Sequence, residues 1–138
     1  LVLELAADWA RTRRQFGRPI GEFQGVSFKL ADMETEIRAA WLLTMHAAWK
    51  LDHGDRARKE VSMAKLHVAD TLHQAADVAI QLNGARGYSK DTILEWIYRY
   101  ARQARLVDGA SEVHNMVLAR FMREEGRDFW SWSAGNRV

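Results

Sequence analysis

Two apolar rows constrain this chain more than any other feature. Val26, Leu30, Met33, Ile37, Ala40, Thr44, Ala48 and Leu51 recur at spacings of four and three, and Val61, Ala64, Val68, Thr71, Ala75, Val78 and Leu82 repeat the arrangement. Such spacing puts every member of a row on one face of an α-helix, so each run predicts a long amphipathic helix. Gly54 ends the first and Gly84 the second, at the positions where a left-handed residue closes a helix. Only a short polar turn around His53-Gly54-Asp55 separates them, which predicts an antiparallel pair. Helices this long need partners along their whole length, and their many Ala allow those partners close.

The remaining patterns supply the partners. Leu1, Leu5, Ala6, Trp9 and Ala10 mark a helix face running from Leu1 to about Arg14, and this row is already in mid-helix at Leu1. The chain is therefore expected to be part of a longer protein. Gln15 to Gln24, with Gly17, Pro19 and Gly21, reads as a compact loop. After a loop from Gly84 to Lys90, a shorter helix over Asp91–Tyr100 is predicted to bury Ile93, Trp96, Ile97 and Tyr100 on one face. A last helix carries Val113, Met116, Val117, Ala119, Arg120 and Phe121. Met33, Met45, Met63 and Met116 sit at or beside core spacing and are read as filler. No segment has a sustained period of two, so the expected fold is all-α: an antiparallel four-helix bundle with one extra short helix. Residues 1–125 form that domain. Residues 126–138 form a tail whose Phe129, Trp130 and Trp132 are expected to pack on this subunit or a neighbouring one.

Composition removes several functions. The chain has no Cys, which excludes disulfides, thiolate metal sites and a Cys nucleophile. Its five His lack zinc spacing, with no H-E-x-x-H. A formal net charge of +2 over 138 residues argues against general nucleic-acid binding, while a pI near 9.2 leaves room for a local anion site. No apolar run approaches the ~20 residues of a membrane span. A protein that is not secreted is expected, cytoplasmic in a bacterium or mitochondrial or peroxisomal in a eukaryote.

Three stretches carry candidate chemistry. Arg11, Arg13, Arg14 and Arg18 crowd the end of the first helix beside Phe16 and Gln24. Arg forks grip phosphate oxygens and a ring can lie against a purine, yet cations at a helix C-terminus are also favoured for their own sake. Gln81-Leu82-Asn83-Gly84 ends a helix where Gly either lets a ligand approach or simply caps it, and no strand precedes it as a dinucleotide fingerprint requires. Asp108, followed by Gly109, Ala110 and Ser111, stands just before a helix start, where a carboxylate is either an N-terminal cap or a working acid. Arg99, Arg102 and Arg105 form a basic row read as a solvated face.

Taken in order, Arg13-Arg14-Gln15-Phe16-Gly17-Arg18-Pro19-Ile20 with Phe23-Gln24, Lys29-Leu30-Ala31-Asp32-Met33, Ala79-Ile80-Gln81-Leu82-Asn83-Gly84 with Gly87-Tyr88, and Asp108-Gly109-Ala110-Ser111-Glu112-Val113 resemble the C-terminal α-helical domain of the acyl-CoA dehydrogenase family. The resemblance runs to about Arg123. It implies an FAD-dependent enzyme that dehydrogenates an acyl-CoA thioester between its α- and β-carbons and passes electrons to an electron-transfer flavoprotein. It also implies a homotetramer or dimer of dimers in which FAD is contacted across a subunit boundary, and an inactive isolated fragment. By position it assigns Arg13, Phe16 and Gln24 to the adenosine and pyrophosphate part of FAD, Gln81 and Gly84 to a second contact, Ala110 and Glu112 to the cofactor beside the acid, and Asp108 to the catalytic base. Asp108 stands where the family commonly has Glu, Ala110 lacks the usual hydroxyl, Ala85 replaces a second Gly, and Val107 stands where an aromatic is frequent. The shorter acid equally resembles the base of nitroalkane-oxidising relatives that reduce oxygen. A non-catalytic helical subunit is the third reading.

Overall fold

The computed structural model describes residues 1–126, and the expectation for the aromatic tail lies outside them. The described residues are mostly helical. In chain order they form α1 (Val2–Thr12), β1 (Arg14–Gln15), β2 (Arg18–Pro19), a 3₁₀ turn (Ile20–Glu22), α2 (Gln24–Asp52), α3 (Arg58–Asn83), α4 (Ala85–Tyr88), α5 (Leu94–Gln103) and α6 (Ser111–Glu125). The all-α expectation is borne out, with α1, α2, α3 and α6 as the bundle and α5 as the extra short helix. The region from Gln15 to Gln24, read as a loop, holds a minimal antiparallel hairpin pairing Arg14 with Pro19 and Gln15 with Arg18. The single turn of α4 was also read as loop; it forms because Gly84 (φ +62°) ends α3 and restarts the helix in a new direction.

α3 is the centre of the molecule and packs against α1, α2, α4, α5 and α6. Its sequence permits this because, between a buried Glu60 near its start and a buried Asn83 at its end, the positions it buries are small: Ser62, Ala64, Ala69, Thr71, Ala75, Ala76 and Ala79. Small side chains let neighbouring backbones approach from several sides at once, at the cost of little apolar area per residue. The α2–α3 pair is antiparallel. Lys50 meets Glu60 at 3.2 Å near the turn and Glu36 meets His67 at 3.5 Å further from it, so contacts recede from the turn along both helices. At the turn itself Asp55 accepts the backbone N–H of Ala57 (2.9 Å) and the ammonium of Lys50 (3.0 Å).

One face was assigned wrongly from sequence. α5 buries Leu94, Ile97 and Ala101, whereas Ile93, Trp96 and Tyr100 are about half exposed, with the Trp96 and Tyr100 rings stacked at 5.3 Å. Both sets fit helical spacing, and α3 covers only one of them. Leu94 is the largest fully buried side chain among the described residues. Of the four methionines read as filler, Met33 is buried but Met45 and Met116 are exposed. Val61, Val68 and Leu51, expected in the core, instead line an open apolar groove.

Two outcomes follow for stability. Leu94→Ala should cost about 2–5 kcal/mol in urea unfolding, as buried Leu truncations do, while Trp96→Ala should shift the midpoint little. Asp55 is held below the usual carboxylate range, first by the Ala57 N–H and then by Lys50. Its folded-state value is thus depressed, and its stabilisation is present above the unfolded value near ~4 and lost as pH falls through the lower folded value. The destabilisation caused by Asp55→Ala, read from urea midpoints, should accordingly be constant near neutrality and shrink below about pH 4.

Candidate active site

Two separate places on the surface carry the candidate residues. The first lies where α1, the hairpin and the end of α3 converge on a cavity of about 690 Å³. Arg13, Phe16, Gln81 and Gly84 all line it, together with Trp9, Phe23, Ala85 and Arg86. Gln24 does not, although its neighbours Phe23 and Val26 do; it is exposed in the first turn of α2.

Phe16 is the most unusual residue of this corner. It forms the hairpin tip with Gly17, and both have positive φ (+50° and +82°), the backbone that a two-residue type I′ turn demands. Phe is a poor choice for that conformation, which costs a non-Gly residue about 1–3 kcal/mol. Its ring is nevertheless 92% exposed, touching Phe23 edge-on at 6.3 Å. A large ring held out at the rim of a cavity by a strained backbone has a local cost that its own folding contacts do not offset.

The four arginines of the sequence motif separate once their partners are known. Arg11 pairs with Asp8 at 2.7 Å, Arg14 donates to the Gly17 carbonyl at 2.8 Å, and Arg18 lies 4.1 Å over the Phe23 ring. Arg13 has no carboxylate partner among the described residues; its guanidinium sits 5.9 Å from the Trp9 ring. Arg86 joins it, 4.7 Å over the same indole and equally without a carboxylate. Two uncompensated guanidiniums on one aromatic platform beside a cavity make a site for an anion with planar groups. Arg86 was not foreseen, because it becomes a neighbour of Arg13 only through the close packing of α4 on α3. A Cβ on Gly87 would come within 2.8 Å of Asn83 Cβ and 2.9 Å of the Ile80 carbonyl, so only Gly permits that approach.

The second place is the turn before α6. Asp108 does not cap that helix: the N-terminal cap position is Ala110, with no side-chain cap, and no hydrogen bond to the Asp108 carboxylate is found among the described residues. The backbone around it is tied down. Lys65 donates to the Ala104 carbonyl, Arg105 pairs with Asp70 at 3.1 Å, and Ser111 N–H donates to the Arg105 carbonyl at 3.2 Å. His114 Nε2 lies 3.3 Å from the Asp108 carbonyl oxygen. Asp108 has φ +54° and Gly109 φ +92°. Glu112 is exposed in the first turn of α6. The basic row divides, since Arg105 is tied to Asp70 and Arg99 lies 3.9 Å from Glu95. Asp108 borders the apolar groove of about 450 Å³, lined by Leu51, Val61, Ala64, Val68 and Leu72 among others.

The family model for the C-terminal domain of acyl-CoA dehydrogenases matches residues 1–123. The chain belongs to the acyl-CoA dehydrogenase family. A 3-(aryl)acrylate reductase of Clostridium sporogenes is 46% identical over 118 residues, 86% of this chain and 31% of that protein. The solved structure of butyryl-CoA dehydrogenase from Megasphaera elsdenii superposes with a TM-score of 0.87 at 33% identity, covering 88% of this chain and 32% of that one. An FAD complex of PigA superposes with a TM-score of 0.85 at 29% identity over 91% of this chain and 33% of its own. The chain thus spans about a third of the relatives it matches. Among the described residues no helix is long and apolar enough to cross a membrane, and no cluster of side chains fits a metal ion.

Phe16 gives this corner a test that separates fold from ligand. Asn tolerates positive φ, so Phe16→Asn should leave thermal stability unchanged or slightly raised. If the corner holds FAD as the resemblance implies, the same variant should lower affinity for FAD in the assembled protein, measured by flavin fluorescence on dilution.

Proposed function

We propose that this chain is the C-terminal domain of an FAD-dependent acyl-CoA dehydrogenase in which Asp108 is the base that removes the α-proton of the thioester. The observation that carries the reading is the state of Asp108: its backbone is anchored to α3 through the turn, while its carboxylate has no partner among the described residues. A free acid on a fixed turn is what proton abstraction at a set distance requires. FAD, when bound, supplies the acceptor for the β-hydrogen, which leaves as hydride while the α-proton passes to Asp108. The chain's own part is to hold that carboxylate and to grip the pyrophosphate of the cofactor with Arg13 and Arg86 over Trp9. In the reductive direction, which the name of the Clostridium sporogenes relative carries, the same carboxylate in its acid form returns the proton to the α-carbon.

The two places are far apart. Ser62, which faces the acid turn, and Gln81, in the cofactor corner, are nineteen positions apart on α3, or ~28 Å at the rise of an α-helix. That exceeds the reach of one flavin dinucleotide, so the corner and the acid of one chain serve different FAD molecules in a homo-oligomer, with an electron-transfer flavoprotein as external acceptor.

In the assembled enzyme, Asp108→Asn should slow anaerobic reduction of the flavin by a saturated acyl-CoA by about 10²–10⁴-fold with flavin content unchanged. Reduction by a primary nitroalkane but by no acyl-CoA would replace this reading with the oxidase one. Mixed oligomers of Arg13→Glu and Asp108→Asn subunits should regain activity that neither has alone, and no recovery on subunit exchange would count against shared sites. The isolated 138 residues should bind FAD weakly or not at all.

A further inference from the structure

His114 is used by none of the steps above, yet it is built into the acid turn. It stands in the first turn of α6, six residues after Asp108, and its ring folds back under that turn. Nε2 lies 3.3 Å from the Asp108 carbonyl oxygen and Nδ1 lies 3.2 Å from Ser62 Oγ on α3. A carbonyl oxygen can only accept, so Nε2 carries the hydrogen and donates it. In the neutral ring Nδ1 is then the acceptor, and the Ser62 hydroxyl, on a residue only 3% exposed, donates to it. The chain Ser62–His114–Asp108 carbonyl therefore has one consistent direction.

The ring also fills space that the backbone leaves open. A Cβ on Gly109 would fall 2.8 Å from His114 Nε2, so the imidazole is packed directly on the glycine that follows the acid. Asp108 at φ +54° and Gly109 at φ +92° put two successive residues in the left-handed region, which Asp visits more readily than most residues but still less freely than Gly, so support from a neighbour favours it. The support comes from one side chain that both fills against Gly109 and holds the carbonyl of Asp108.

We infer that His114, backed by Ser62, is the positioning residue for Asp108: it holds the left-handed backbone that sets where the carboxylate stands. This rests on the reading of Asp108 as the base. The shorter Asp has less reach than the Glu usual at this position, so its placement depends more on the backbone beneath it, and a displacement on the ~1 Å scale is enough to cost about 100-fold in rate.

The test uses the FAD-loaded full-length enzyme. His114→Ala should slow anaerobic flavin reduction by an acyl-CoA about 10- to 100-fold, while flavin content and the apparent Kd for the thioester stay within about twofold of wild type, as expected for a change confined to the turn. His114→Gln, whose amide N–H can donate to the same carbonyl, should recover most of that rate. In a crystal structure of His114→Ala, Asp108 should leave the left-handed region. A wild-type reduction rate in His114→Ala, no recovery in His114→Gln, or an unchanged φ at Asp108 would each overturn the inference. Should His114→Ala not fold, His114→Gln and His114→Met decide it, since Gln can donate and Met cannot: equal rates in the two would overturn it. Asp108→Asn is the control for the reading beneath. If that variant reduces flavin at the wild-type rate, the base assignment fails, and the φ of Asp108 alone then decides whether His114 holds the turn.

Discussion

Everything in this domain hangs on how closely α3 lets its neighbours approach. Ala75, Ala76 and Ala79 are buried to within a few per cent, and against them sit Val2, Ala6, Met33, Leu94, Ile97 and Ala101 from three other helices. A larger residue at any of these α3 positions would push a whole helix outward, because interiors at crystal-like density have no slack to absorb an added group. Both candidate places are consequences of that packing. The Arg13–Arg86 corner forms where α1 and α4 meet the last turn of α3, and the turn that carries Asp108 is tied to its first half through Ser62, Lys65 and Asp70.

The two places share a backbone device. Phe16 is followed by Gly17 and Asp108 by Gly109, and in both pairs a non-Gly residue, Phe against its preference and Asp from the small set that visits this region, adopts positive φ just before a glycine that adopts it freely. Each is held by contacts from outside the turn: Arg14 grips the Gly17 carbonyl, and His114 grips the carbonyl of Asp108. Backbone of this kind clusters at functional sites, and it marks both candidate places. The remaining non-Gly residue with positive φ among the described residues, Ala57, is buried in the α2–α3 turn and its N–H is bonded to Asp55.

Much of this was legible in the residue pattern. The long rows of α2 and α3 are periodic enough that no other fold class accommodates them, and the resemblance carried by Arg13, Phe16, Gln81, Gly84 and Asp108 pointed to the two places that the fold then separates. What was not legible has a common cause. Ile93, Trp96 and Tyr100 satisfy helical spacing as well as Leu94, Ile97 and Ala101 do, and only the position of α3 selects between them. Arg86 looks like any exposed cation until Gly87 brings α4 against Asn83 and Ile80. The aspartate before a helix reads as a cap until its carboxylate is found without a bond.

By itself the sequence determined the helices, the turns between them and the family, because those follow from local periodicity, from glycines that alone adopt certain backbone angles, and from an ordered set of motifs. The tertiary structure decided which apolar faces are covered, which two of five nearby arginines share the Trp9 ring, and that the Asp108 turn and the Arg13–Arg86 corner lie toward opposite ends of one helix. These are matters of distance between residues far apart in the chain. Spacing along a helix says which side chains share a face, but only packing says what stands opposite that face.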